Sequence, residues 1–294
     1  VAFGLRNYLI TNKGDQTMNI ATDGVSPLRI QRHEPLPLTT FFLVMFVVSW
    51  LGVLPVVLAS WLGAEAVPAP LKLLQLLMIL GPGLVALWAT WREGGREAIF
   101  QLLRGLIQWR VDWRWYMAVL LGPAAIFGLS LWMSHLAGLT ERSFYPLSLT
   151  LQILLSTMVS YLLLNTEELA WRGYALPRLQ TMMGPLGASF ALWGVGMLFH
   201  LPLFLLRGGH PAGYPFWVWA LLLLALTLLF TWIFNGTQGS LLLAHLFHQS
   251  INGWIEAIPV YPAVTQSLAP IGLAIGLLVI VAGIYVWAAV KTRT

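Results

Sequence analysis

Seven stretches of the chain contain no Asp, Glu, Lys or Arg: residues 35–64, 73–91, 115–140, 143–166, 179–206, 208–255 and 257–290. Each is at least 19 residues long, close to the roughly 20 that an α-helix needs to cross a hydrocarbon core of about 30 Å. The stretch from Gly208 to Ile255 is long enough for two spans, and Asn235-Gly236-Thr237-Gln238-Gly239 divides it with turn chemistry. Apolar residues run around all faces of these segments, without the period-2 alternation of a membrane barrel. In lipid the backbone must then close its own hydrogen bonds, which leaves helices. The expected fold is all-α: a polytopic transmembrane helix bundle of about eight spans. Only 9% of residues are charged, against about 25% in soluble domains, so most of the surface faces lipid.

Sorting Lys and Arg by alternating loops orients the bundle, because the cytoplasmic side collects them. One side holds Arg6, Lys13, Arg29 and Arg32, then Arg92, Arg96, Arg104, Arg110 and Arg114, then Arg172 and Arg178, and finally Lys291 and Arg293; Lys72, Arg142 and Arg207 fall on the other. Both termini are therefore expected in the cytoplasm. The net charge of +5 reflects orientation. No nucleic-acid partner is expected, since no basic patch is interleaved with stacking aromatics. The organisation that follows is a polar, disordered cytoplasmic tail over residues 1–34, spans 1–3 over 35–147 with an interfacial amphipathic segment near 92–114, a core of spans 4–7 over 148–258, and span 8 with a short C-terminus over 259–294.

The absence of cysteine removes disulfides, Cys-ligated zinc, iron-sulfur clusters and thiol nucleophiles. No GxxxxGK, GxGxxG or HExxH pattern is present. Any chemistry rests on other side chains, and an ionisable group in mid-membrane costs at least about 2.5–3.5 kcal/mol on insertion scales, so each one needs a reason. Of the acids, only Glu167, Glu168 and Glu256 are embedded, Glu256 near the outer end of its span. Glu168 and Arg172 are spaced i, i+4 and can pair. Glu167 points about 100° away, without a local partner. Of six histidines, His33 and His210 fall in polar loops and His135 near an interface, whereas His200, His245 and His248 are embedded in the C-terminal half. His248 and Asn252 share a helical face. A buried histidine alone is more often a packing residue, but two carboxylates, His200, and His248 with Asn252 converge from spans 4, 5 and 7 on one intramembrane cavity, supplying a base, donors and an amide. If the fourth span ends at Leu176, before Pro177, Glu167 stands about 13 Å above its inner end, as His248 does above Gly239. His200 stands about 22 Å above Pro185, so its helix is expected to start later or to tilt.

These motifs resemble the CPBP family of intramembrane proteases, which includes the type II CAAX prenyl endopeptidases and bacterial bacteriocin-processing or immunity proteins. EExxxR is Glu167, Glu168 and Arg172. The second motif is His200 with Leu201-Pro202-Leu203-Phe204, although Gly196 stands where the family has an aromatic; Trp193 and Phe199 are near enough to fill that space. HxxxN is His248 and Asn252. The resemblance covers residues 160 to 255 and implies an endopeptidase in which Glu167 is the base that activates water, His200 helps to hold that water, and His248 and Asn252 face the oxyanion. Glu168 and Arg172 have a supporting role. It also implies either Zn2+ held by Glu167, His200 and His248 or a metal-free glutamate mechanism, a peptide or protein substrate arriving from the bilayer with or without a lipid anchor, and a multi-pass protein of a prokaryotic plasma membrane.

Three readings compete. A non-catalytic immunity or scaffold member would keep the fold, and a proton-coupled transporter would also embed Glu and His, though on several helices. A rhomboid-type serine protease would use Ser189 of Gly187-Ala188-Ser189, but close packing by small residues explains that triplet better. The fifteen tryptophans read as interfacial belts, with Trp115, Trp132, Trp217, Trp219 and Trp287 near span ends, while Trp171 and Trp193 are expected to line the cavity.

Overall fold

Proline and glycine, more than charge, decide where the apolar stretches become separate helices. The computed structural model describes residues 34–63, 68 and 73–291, and the tail expected over 1–34 lies almost wholly outside them. The described regular elements are all helical. α1 is Leu38–Trp61 and α2 Leu76–Arg104. Gly95 interrupts α2 at φ 63°, a conformation that side chains with a Cβ avoid, and so separates an apolar length from a short charged one. A 3-10 turn at Gly105–Ile107 leads to α3 (Trp113–Leu136), whose N-cap Asp112 accepts from the Arg114 N–H. α4 is Leu147–Leu164.

The fourth span does not continue to Leu176 as one helix. Asn165 is extended (ψ 117°) and ends α4; a second helix then starts, with π geometry over Leu169–Ala175, and passes into α5, Leu176–Phe204. Pro177 does not terminate it. Its ring would clash with the Gly173 carbonyl in a regular helix, but the π turn, in which the Leu176 N–H reaches back to the Trp171 carbonyl, supplies the extra residue that relieves the clash. The break comes at Gly184 (φ 71°), and the helix bearing His200 does begin at Pro185. The expected depth mismatch disappears, because the helix bearing Glu167 runs on to Met183, about 24 Å.

α6 (Phe216–Gly236), α7 (Leu241–Ala257), the single turn α8 (Pro262–Thr265) and α9 (Ala269–Lys291) complete the bundle. Among the described residues six helices are long and apolar enough to cross a membrane, against about eight expected. α2 and α7 fall outside that set, and α7 is both short, at 17 residues, and polar, because it carries site residues.

Hydrogen bonds sort the helix ends onto two faces. On one, the Leu36 N–H donates to Glu93 and the Gln108 amide donates to the Thr237 carbonyl; on the other, the Trp61 indole donates to the Leu205 carbonyl and Arg142 to the Val264 carbonyl. Arg172 belongs to neither loop set; it is buried. Two apolar cores result, one built on α3, α6, α7 and α9 and one on α1, α2, the π segment and α5.

Close backbone approach fixes the first core where α3 meets α6. A Cβ on Gly236 would lie 2.3 Å from the Trp115 ring, which itself packs 4.8 Å from Trp232. Gly236→Ala is expected to destabilise the protein by about 1–3 kcal/mol through overpacking, measurable as a lowered thermal midpoint in detergent. Trp115 is thus a packing residue in addition to any interfacial role.

Candidate active site

Asn165 starts the helix that carries both glutamates. Its side-chain oxygen accepts from the Glu167 N–H at 2.9 Å, satisfying one of the N–H groups that a helix start leaves bare. Glu167 is not without a local partner, as its Oε2 accepts from the Trp171 indole N–H at 3.1 Å, four residues on. Its other oxygen has no protein partner among the described residues, and Glu167 lines a cavity of about 150 Å³ together with His200, His248 and Asn252. The four residues named from sequence therefore meet in one place, between the two cores.

Glu168 does more than pair with Arg172. Its Oε1 accepts from Arg172 Nη1 at 3.1 Å and from His248 Nδ1 at 2.7 Å. The carboxylate is fully desolvated, so these charge-assisted bonds are strong, and Arg172 is further held with its guanidinium 3.8 Å above the Phe230 ring. Because Nδ1 donates to Glu168, the Nε2 edge of His248 is left for the cavity. His200 is oriented in a parallel way. Its Nδ1 lies 2.9 Å from the Gly196 carbonyl, which only accepts, so Nδ1 carries the proton and Nε2 keeps its lone pair. A histidine whose second nitrogen is tied to a carbonyl or carboxylate has its tautomer and ring orientation fixed. The Asn252 amide makes no hydrogen bond to the described protein groups, leaving its donors for a ligand.

The aromatic missing at Gly196 is replaced from elsewhere. Phe199 stands edge-on to both Trp171 and His200, with ring centroids at 5.4 and 5.0 Å, and the Trp219 ring is 4.8 Å from His200. Trp193 takes no part: its indole donates to the Ala220 carbonyl at 2.8 Å, and it is absent from the cavity wall, whereas Trp171 lines it. Trp219, expected in an interfacial belt, is buried and lines the cavity with Thr227 and Phe230. The wall thus includes α6, which was missing from the expected set of spans 4, 5 and 7. α6 carries no ionisable residue between Phe216 and Gly236; Thr227 is its faint signal, one of two hydroxyls, with Thr231, in a run that is apolar from Phe216 to Phe234 apart from them.

Other singled-out residues fall outside the site. His245 donates from Nε2 to the Leu162 carbonyl at 3.1 Å, satisfying the end of α4. Ser189 is buried, with its hydroxyl between Thr231 Oγ1 (2.8 Å) and the Pro185 carbonyl (2.9 Å), the packing role expected of that triplet. His210 lies in the loop before α6, stacked on Phe204 and Tyr214, and burial lowers its pKa to about 4. Among the described residues no group of three His, Asp or Glu side chains is close enough together to hold a metal ion.

Residues 146–254 match the family model described as Rce1-like type II CAAX prenyl endopeptidase. That match covers 109 of the 294 residues. The matched stretch opens at Pro146, which caps α4, and closes at Trp254 on α7. The matched stretch includes Glu167, His200, His248 and Asn252, while Ile255 and Tyr261 of the cavity wall lie outside it, as do α1 and α2, which pack against the π segment. No curated protein matches the chain.

Proposed function

We propose that this protein is an intramembrane endopeptidase that hydrolyses a peptide bond of a membrane-associated substrate with water activated by Glu167. The observation that carries this reading is a carboxylate with one oxygen fixed by an indole and the other facing a cavity shared with two oriented imidazoles and an unengaged amide. A water between the free Glu167 oxygen and His200 Nε2 gives its proton to Glu167 as its oxygen attacks the carbonyl carbon. The developing oxyanion meets the Asn252 amide and, when the imidazole holds a second proton, the Nε2–H of His248. Collapse breaks the C–N bond, and Glu167 returns its proton to the leaving amine. Glu167, His200 and His248 are each oriented by a hydrogen bond outside the reaction itself.

The match to a family of prenyl endopeptidases supports a substrate with an apolar anchor, reaching the site from the bilayer. Arg92, Arg96, Arg104, Arg110, Arg114 and Arg178 are assigned to the cytoplasm, and both termini with them, in a prokaryotic plasma membrane. The test is cleavage of quenched fluorogenic peptides, prenylated and unprenylated, by detergent-purified wild type and Glu167→Gln, with zinc measured on the same preparations. Cleavage by the wild type alone supports the proposal. Equal rates in both remove Glu167 from the base role, and no cleavage by either favours a non-catalytic or transport function. Stoichiometric zinc that is lost in His200→Ala would assign the three side chains to a metal.

A further inference from the structure

Thr166 stands outside the catalytic set, yet it joins the helix bearing the two glutamates to α2. Pro82 lacks an N–H and disrupts the α2 ladder around it. There the Gly83 N–H donates to Thr166 Oγ1 at 3.1 Å. The Ile79 carbonyl accepts from Thr166, whose hydroxyl lies 2.9 Å away and whose N–H lies 3.3 Å away; the Leu80 carbonyl is 3.1 Å from the same hydroxyl. One residue thus docks on the turn of the neighbouring helix around Pro82, meeting a donor and acceptors that lipid could not satisfy.

The fit requires glycine. A Cβ on Gly83 would fall 2.4 Å from both Cβ and Oγ1 of Thr166. Lower on α2, Glu93 accepts from the Tyr174 hydroxyl and pairs with Arg178, which stacks 3.7 Å over the Tyr174 ring. α2 therefore holds the helix at two levels, above and below the π segment. The upper contact is the residue next to Glu167, and Asn165 on its other side caps the same turn.

We propose that Thr166, seated against Ile79, Leu80 and Gly83 of α2, is a positioning residue that sets the height and rotation of Glu167 in the cavity. This rests on the endopeptidase reading. Misplacing a reacting group by about 1 Å costs on the order of 100-fold in rate, and the carboxylate has no other tether than Trp171.

The experiment compares wild type, Thr166→Val, Thr166→Ser, Gly83→Ala and Glu167→Gln by peptide cleavage, with hydrogen exchange of the 167–171 amides measured on each protein. Valine keeps the shape and loses the hydroxyl. Its expected result is a fall in kcat of roughly 10- to 100-fold at nearly constant KM, with faster exchange at 167–171. Serine is expected to restore both, and Gly83→Ala to reproduce the valine result by displacing Thr166. Wild-type kcat and exchange in Thr166→Val overturn the proposal, as does a loss that serine does not rescue or that appears as raised KM alone. If no protein cleaves, the endopeptidase reading fails by itself, and exchange alone decides whether Thr166 fixes the helix: unchanged exchange in Thr166→Val overturns the clamp as well.

Discussion

Glu167→Gln is expected to lower kcat by roughly 10²- to 10⁴-fold, the usual range for losing a positioned general base, while KM and thermal midpoint stay near wild type. Glutamine keeps a side-chain carbonyl that can accept from Trp171 Nε1, as Glu167 Oε2 does at 3.1 Å, so the helix has no reason to move. What changes is the group facing the cavity: an amide that cannot take a proton replaces a carboxylate oxygen. Asn252→Ala provides the matching test of the oxyanion side. Its amide bonds to no described protein group, so truncation disturbs little structure, and a fall of about 10²–10³ in kcat is expected from removing one oxyanion donor. A proton-coupled transporter would respond differently, losing substrate-linked proton movement with no hydrolysis to lose. Steady-state cleavage of a fluorogenic peptide, read beside a thermal melt of each variant, separates these outcomes.

The reasons why part of this site was legible in the sequence and part was not are physical. Glu167, Glu168, His200, His248 and Asn252 stand out because an apolar segment makes every ionisable or strongly polar group conspicuous, and i, i+4 spacing alone pairs Glu168 with Arg172. The all-helical fold follows from the same charge-free runs. Asn165 and Pro177 are harder to read. An apolar run says nothing of an extended residue inside it, and Pro177 looks like a helix end unless the π turn at Leu169–Ala175 is known to make room for it. That error placed the end of the helix at Leu176, and with it came the spurious mismatch in the depth of His200. Trp219 was misread for another reason: its spacing from a span end fits a membrane belt, and only the tertiary approach of α6 to α5 puts its ring against His200. Glu168's bond to His248 joins residues 80 positions apart, a distance over which helical periodicity carries no information.

Glu168→Ala is expected to destabilise the protein by about 3–5 kcal/mol, the cost of breaking a buried ion pair from one side. The Arg172 guanidinium would remain buried with no carboxylate bonded to it, its remaining specific contact being the face of Phe230, and Nδ1 of His248 would lose its acceptor. Replacing both members, Glu168→Gln with Arg172→Met, removes the uncompensated charge. Apolar replacement of buried pairs is often neutral or stabilising, so the double variant should melt well above Glu168→Ala. Activity should not return with stability, because glutamine offers His248 a neutral acceptor in place of a charged one and weakens the hold on its ring. A double-mutant cycle on the thermal midpoint, with kcat measured on each corner, separates the two roles. Recovery of both would make Glu168 a packing partner of Arg172 alone; recovery of stability without rate makes it the anchor that aims His248 at the reacting carbonyl.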